Sequence, residues 1–478
     1  MIMKQPVYHL AIDIGASGGR HILGAIDNGK LITKEVYRFE NGAKMNGKHL
    51  CWDADALFAH VIAGLRACAV QGYTPVSMGI DTWGVDFALL DHAGNRVGEI
   101  VAYRDNRTDG MDVHLEKTMS FAQLYAITGI AKLPFNTLYQ LMAVVKENPE
   151  TAQTVADFLL LPEYLSYRLT GIKAHEETNL STGALLDAKT RTWSQEVLKA
   201  AQLPEAWFTT PIVKAGSALG PLLPEIRDEI GFDMQVFLPA THDTGSAFMA
   251  VPARDDKAVF LSSGTWSLLG TELTRPQADS ASLRSGFTNE MGYQNTIRYL
   301  KNIMGMWMLQ SIRKELPVKI SYEEIAAAAA ASEYADYVDA ADNRFLAPES
   351  MRAEVLRALA ERGAPAPADD GDLFRCVLLS LAMCYRDSIR EMEKLTGKAF
   401  TSVNIVGGGS QNATLNHLTA QVTGLPVYAG PTEGTALGNL IAQMIAMNEI
   451  EDLQAARRLI KTSFSIQKIT EKNAEASQ

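Results

Sequence analysis

The chain has 478 residues, 47% of them hydrophobic and 21% charged, with a formal net charge of −11. That length exceeds what one core organises, so two or three domains are expected, and 44 Lys+Arg against 55 Asp+Glu without a basic block argue against binding a nucleic-acid backbone. Cys51, Cys68, Cys376 and Cys384 show no C-x-x-C spacing, the N-terminus has no signal-type apolar run, and no stretch is apolar enough to span a bilayer. A cytoplasmic protein with reduced thiols is expected.

In chain order, Val7 to Asp13 reads as a buried strand that runs into the small-residue turn Ile14-Gly15-Ala16-Ser17-Gly18-Gly19-Arg20. Arg20 to Ala25 returns from it, Asp27-Asn28-Gly29-Lys30 is a hairpin signal, and Leu31 to Phe39 supplies a third strand. Asp53 to Ala69 has helical spacing. Val76 to Ile80 is a short strand entering Asp81-Thr82-Trp83-Gly84-Val85-Asp86. Strands alternating with helices predict an α/β fold.

Pro252 and the charged stretch Arg254-Asp255-Asp256-Lys257 place a boundary near residue 251, giving domains at 1–251 and 252–478. Ala258 to Leu261, the turn Ser262-Ser263-Gly264-Thr265, and Trp266 to Leu269 repeat the opening strand-turn-strand pattern. Ser321-Tyr322-Glu323-Glu324 has capping-box form and starts a helix that continues through Ile325 and six alanines. A loop at 364–371 precedes a long helix from Asp372 to Leu395. Val403 to Val406 is then a strand leading into Gly407-Gly408-Gly409.

Three small turns, each after an apolar strand, suit backbone N–H groups facing phosphates. Asp13 in the first of them fits a water-mediated magnesium contact, and an Asx turn is its structural alternative. Gly408 offers side-chain-free backbone to a nucleotide, with Asn412 nearby. Neither G-x-G-x-x-G nor G-x-x-x-x-G-K-[ST] is present, which disfavours a dinucleotide oxidoreductase and a P-loop kinase. His242-Asp243-Thr244 is the sharpest constellation: an acid at a helix start beside a histidine can take the proton of an attacking hydroxyl. Trp83-Gly84 and Tyr103-Arg104-Asp105-Asn106-Arg107 suit a polyol, or equally a buried tryptophan and a surface ion-pair loop.

These segments, with Leu133-Pro134-Phe135-Asn136-Thr137-Leu138-Tyr139-Gln140 and Leu300-Lys301-Asn302-Ile303-Met304-Gly305, resemble the FGGY carbohydrate kinases of the actin-like ATPase superfamily, to about Phe464. The resemblance implies two actin-like (ribonuclease H-like) domains with a ligand cleft between them. Asp243 is then the catalytic base, with Gly84, His242, Thr244 and Asn302 at the sugar, and Trp83 and Arg104 as further candidates. Ala16, Ser17, Gly18, Gly19, Arg20, Thr265, Gln310 and Gly408 fall at ATP, with Asp13 reaching Mg2+ through water. The implied reaction moves the ATP γ-phosphate to the C1 hydroxyl of L-rhamnulose. Rival readings are a kinase of L-fuculose or D-xylulose, a non-catalytic sugar-responsive ATPase, and an actin-like assembly protein. A monomer or weak homodimer is expected. Gly18-Gly19 stands where Ser-Gly is familiar in the family, and Ser410 where a cysteine can occur. Cys376 lacks an evident partner for a disulfide found in some relatives.

Overall fold

The computed structural model describes residues 6–346 and 348–471. Its strands, in chain order, include β1 (His9–Gly15), β2 (Gly18–Asp27), β3 (Lys30–Glu40), β4 (Ser77–Thr82), β5 (Ser217–Pro221) and β6 (Gln235–Leu238). After these come β7 (Ala258–Ser263), β8 (Trp266–Leu273), β9 (Thr288–Met291), β10 (Ile297–Met304), β11 (Ser402–Val406), β12 (Val427–Ala429) and β13 (Gln467–Ile469). The helices that matter below are α1 (Ala54–Val70), α2 (Glu177–Leu180), α3 (Asp243–Ala250), α4 (Trp307–Glu315), α5 (Tyr322–Ala331), α6 (Asp370–Thr396), α7 (Ala413–Thr423) and α8 (Gly434–Ala446).

The chain forms two compact units. The first comprises Met1–Ala250, Glu272–Tyr299 and Thr435–Ser463, and the second Val251–Thr271, Leu300–Gly434 and Phe464–Gln478. The chain first leaves unit one between Ala250 and Val251, but two later stretches return to it, so a single boundary does not describe the division.

Unit one is built on the sheet β5-β6-β4-β1-β2-β3. β1 is buried along six of its seven positions, as a near-continuous apolar run requires when a strand is covered on both faces. It pairs antiparallel with β2 and parallel with β4, in a register that sets Asp13 beside Asp81. The β2–β3 turn has Asn28 at φ 48° and Gly29 at φ 75°, the two positive angles that its Asn-Gly sequence predicts. Leu57, Val61 and Leu65 of α1 pack with Leu10, Ile12, Ile14, Met78 and Ile80 in the unit's core. Asp53 caps α1 by accepting from Ala56 N.

Unit two repeats the plan. Its strands run β10-β8-β7-β11-β12-β13, with an antiparallel β7–β8 hairpin, parallel β7–β11 and β11–β12 pairs, and an antiparallel β12–β13 edge. The capping box at Ser321 and Glu324 starts α5, and the long helix α6 spans 27 residues. All four cysteines are free.

Candidate active site

The first site element is the β1–β2 hairpin. Gly15 and Gly18 face each other across a turn whose tip, Ala16 and Ser17, is exposed. Asn41 braces it, donating N–H to Ser17 O at 3.1 Å and Nδ2–H to Gly15 O at 2.9 Å. A side chain at Gly19 would place Cβ 2.3 Å from the Phe39 ring, and one at Gly18 would come within 2.8 Å of Phe39 O. Packing on β3 therefore requires both glycines, whatever the turn binds. Asp13 is not an Asx cap: its Oδ2 accepts from Arg20 Nε at 3.1 Å and Nη2 at 2.9 Å, across the strand pair.

Asp13 and Asp81 are register partners on adjacent parallel strands, and a bridge between Thr82 and His242 brings the start of α3 alongside. Three carboxylates thus converge within one unit. Burial holds Asp81 well above the ordinary carboxylate range, with Asp13 adding to the effect. Its Oδ2 accepts Asn439 Nδ2–H from α8 at 2.6 Å. Burial also raises Asp243, opposed by His242 and the Thr244 donors and reinforced by Asp13. That direction brings a carboxylate nearer to the working range of a general base.

Asp243 has one oxygen occupied. Oδ1 accepts Thr244 N–H at 2.5 Å and Thr244 Oγ1–H at 3.0 Å, and His242 Nε2 lies 3.4 Å from it. Among the described residues Oδ2 has no hydrogen-bond partner, on a side chain that is 36% exposed. Behind His242, its Nδ1 is 3.2 Å from Arg298 Nη1. The same Nδ1 lies 3.5 Å from Glu290 Oε2, so the ring is held between Asp243 on one side and Arg298 with Glu290 on the other. Arg298 is itself fixed by Met291 O at 3.0 Å, Thr178 O at 2.8 Å and Glu290 Oε2 at 3.0 Å. Burial would raise Glu290, but Arg298 and His242 outweigh it and hold this carboxyl below its usual range.

Glu176 fixes the approach to the pair. It accepts from Thr178 N and Oγ1, Asn179 N, and Thr241 N and Oγ1, tying the residue before His242 to α2. Burial pushes its pKa up to about 7 from 4.5 despite these donors. Between those values the folded chain keeps a proton that the unfolded chain has released, so stability falls as pH rises from about 4.5 to 7. Asp86, raised to about 6, has the same sign. We expect the Tm of Glu176→Gln to vary less with pH across this window than the wild-type Tm. Parallel Tm–pH curves from calorimetry would contradict the assignment.

Gly84 lies against this group: a Cβ there would meet Thr182 Oγ1 at 3.2 Å, Asn179 Oδ1 at 3.3 Å and His242 Cδ2 at 3.5 Å. Trp83, offered by the sequence as a sugar platform, is committed elsewhere. It is buried, its ring lies 4.2 Å from that of Trp52 at a tilt of 41°, and it shares Asp86 Oδ2 with that residue as a hydrogen-bond acceptor. Of the loop beyond it, Asp105 accepts from His49 Nδ1 and Leu50 N, and Arg107 donates to Gln140, while Arg104 lies exposed over the Tyr103 ring. Asp105 thus lies within ion-pair distance of His49, while Arg107 reaches a neutral amide.

The other sequence candidates, Thr265, Asn302, Gln310 and Gly408, belong to unit two. Thr265 is exposed in the β7–β8 turn, whose carbonyls at Gly264 and Thr265 accept from Met306 N and Trp307 N at 3.1 Å each. A Cβ at Gly305 would strike Trp266 C at 2.5 Å, so that glycine lets the start of α4, which carries Gln310, press on the turn. Asn302 is half-buried in β10. After β11, Gly407 takes φ 86°, and Gly409 packs so closely on Ser263 that a Cβ would overlap its Oγ. Gly408 alone is open, with exposed backbone. Asn412 uses its Oδ1 to cap α7, accepting from Leu415 N at 2.9 Å.

Residues 8–250 match the N-terminal domain, and residues 259–447 the C-terminal domain, of the FGGY family of carbohydrate kinases. The chain belongs to that family, an ATP-dependent group with the two-domain fold of the actin-like ATPase superfamily. It is 41% identical over 458 residues to a curated rhamnulokinase of Oceanobacillus iheyensis, covering 96% of this chain and 97% of the relative. A second, from Halalkalibacterium halodurans, is 42% identical over 468 residues, covering 98% and 100%. Among solved structures, ligand-bound xylulose kinase from Lactobacillus acidophilus superposes with TM-score 0.79 at 16% identity, over 98% of this chain and 95% of that one. Plasmodium falciparum glycerol kinase with ADP gives 0.77 at 14%, over 99% and 96%, which like the former bears on the fold alone.

Four residues of the site escaped sequence reading: Glu176, Asn179, Glu290 and Arg298. Only Arg298 left a trace, as a cation among the apolar residues that open β10, where a buried arginine requires a partner.

Proposed function

We propose that the protein transfers the γ-phosphate of ATP to the C1 hydroxyl of L-rhamnulose, giving L-rhamnulose 1-phosphate. The substrate rests on relatives at 41–42% identity that align along nearly their whole length with this chain. The observation that carries the mechanism is the one-sided hydrogen bonding of Asp243, whose Oδ1 takes the donors while Oδ2 is left for an incoming hydroxyl. Asp243 Oδ2 accepts the C1 hydroxyl proton as the oxygen attacks phosphorus and the bridging P–O bond to ADP breaks. His242 is assigned to the sugar and stands beside the base, its Nε2 3.4 Å from Asp243 Oδ1. Gly84, Thr244 and Asn302 are assigned to the sugar.

Ala16 to Arg20, Thr265, Gln310 and Gly408 are assigned to ATP. Among the described residues no cluster of three or more His, Cys, Asp or Glu could hold a metal alone. Asp13, with Oδ2 turned to Arg20, fits a single outer contact through water to a Mg2+ ion held chiefly by the nucleotide. Such an ion neutralises phosphate charge when bound. No helix among the described residues is long and apolar enough to cross a membrane, and the four free cysteines accord with a reducing cytoplasm.

Among L-rhamnulose, L-fuculose, L-ribulose, D-xylulose and glycerol, L-rhamnulose is expected to have the highest kcat/KM with ATP. A tenfold preference for another member would overturn the substrate and leave the kinase class standing.

A further inference from the structure

Asn179 sits at the end of a short helix whose main chain is fully engaged. Its N–H donates to Glu176 Oε2 at 3.3 Å and its carbonyl accepts from Thr182 Oγ1 at 2.7 Å. The side chain has no such employment. It is 1% exposed, yet neither Oδ1 nor Nδ2 has a hydrogen-bond partner among the described residues. Leaving a buried amide unpaired is costly, and proteins keep such groups where something other than the fold uses them.

Its surroundings say what. The amide borders the space that a Cβ on Gly84 would occupy, 3.3 Å from Oδ1, and the same space touches the His242 ring at 3.5 Å. Asn179 therefore presents an unpaired NH2 group and an unpaired carbonyl oxygen beside Gly84 and His242, two of the residues assigned to the sugar. A hydroxyl group, which both donates and accepts, is the complementary ligand. A carboxylate or phosphate would leave Oδ1 facing another acceptor, and an apolar group would leave both atoms unpaired. We infer that Asn179 is a sugar-binding residue, pairing with a ring or chain hydroxyl of the ketose next to His242 and helping to select its configuration. The inference rests on the sugar-kinase reading and extends it to a residue with no part in holding the fold.

The test combines Asn179→Ala with a set of monodeoxy ketoses. KM for L-rhamnulose is expected to rise at least tenfold, with the ATP KM within twofold and Tm within a few degrees. For one deoxy analogue, the penalty in kcat/KM seen with wild type should shrink at least fivefold in the variant, because the hydroxyl and the amide are each other's partners. Deoxy penalties equal in wild type and variant at every position would overturn the inference. So would loss of folding in both Asn179→Ala and Asn179→Ser, since that would show an internal role for the amide. A wild-type protein that phosphorylates no ketose would instead overturn the reading beneath it.

Discussion

Asp243→Asn is expected to lower kcat by on the order of 10²-fold or more, with Tm and ADP affinity nearly unchanged. Asparagine keeps the shape and can still present Oδ1 to Thr244 N and Oγ1, so the start of α3 retains its local bonds. It cannot take a proton at neutral pH. The carboxylate also carries a cost in the folded protein, because burial and the nearby Asp13 both act against its charge. Removing that charge gives no reason for a lower Tm. A purely structural aspartate predicts the reverse, a destabilised protein that turns over normally while folded. A stable Asp243→Asn variant retaining more than about a tenth of wild-type kcat would remove Asp243 from the chemistry.

The second large effect concerns stability. Arg298→Met strips the partner from Glu290, which is only 5% exposed, and breaking a buried pair from one side costs about 3–5 kcal/mol. For a protein of this size that is a fall in Tm of roughly 3–5 °C. Adding Glu290→Gln neutralises the stranded carboxylate and should restore a substantial part of the loss, although the bonds to Met291 O and Thr178 O remain absent. Catalysis should not recover with it: Arg298 and Glu290 both face His242 Nδ1, and the double variant leaves that ring without its native support. Equal Tm values for the single and double variants would show that the pair is not the source of the stability.

The sequence disclosed the parts of this molecule that are local. Asn28-Gly29 specified its own turn, Ser321 and Glu324 their capping box, and Asp243 its place at a helix start. The Gly18-Gly19 turn was located correctly, but its glycines answer first to Phe39, a contact no local pattern reveals. Trp83 and Asn412 each commit a polar group to a partner three residues along the chain, Asp86 and Leu415 N, which a local reading for ligand contacts passes over. What remained hidden is the support behind His242. Glu176 reaches it from one stretch of chain and Glu290 and Arg298 from another, the adjacent strands β9 and β10, and the meeting of the two is a product of topology rather than of spacing. The return of Glu272–Tyr299 and Thr435–Ser463 to unit one is of the same kind.

The most direct measurement is the identity of the product. Wild-type protein supplied with ATP, magnesium and L-rhamnulose carrying ¹³C at C1 should give a phosphate monoester whose ³¹P signal couples to the labelled carbon, with one ADP formed per ester. ATP hydrolysis without a sugar phosphate, or an ester that shows no coupling to C1, would contradict the account.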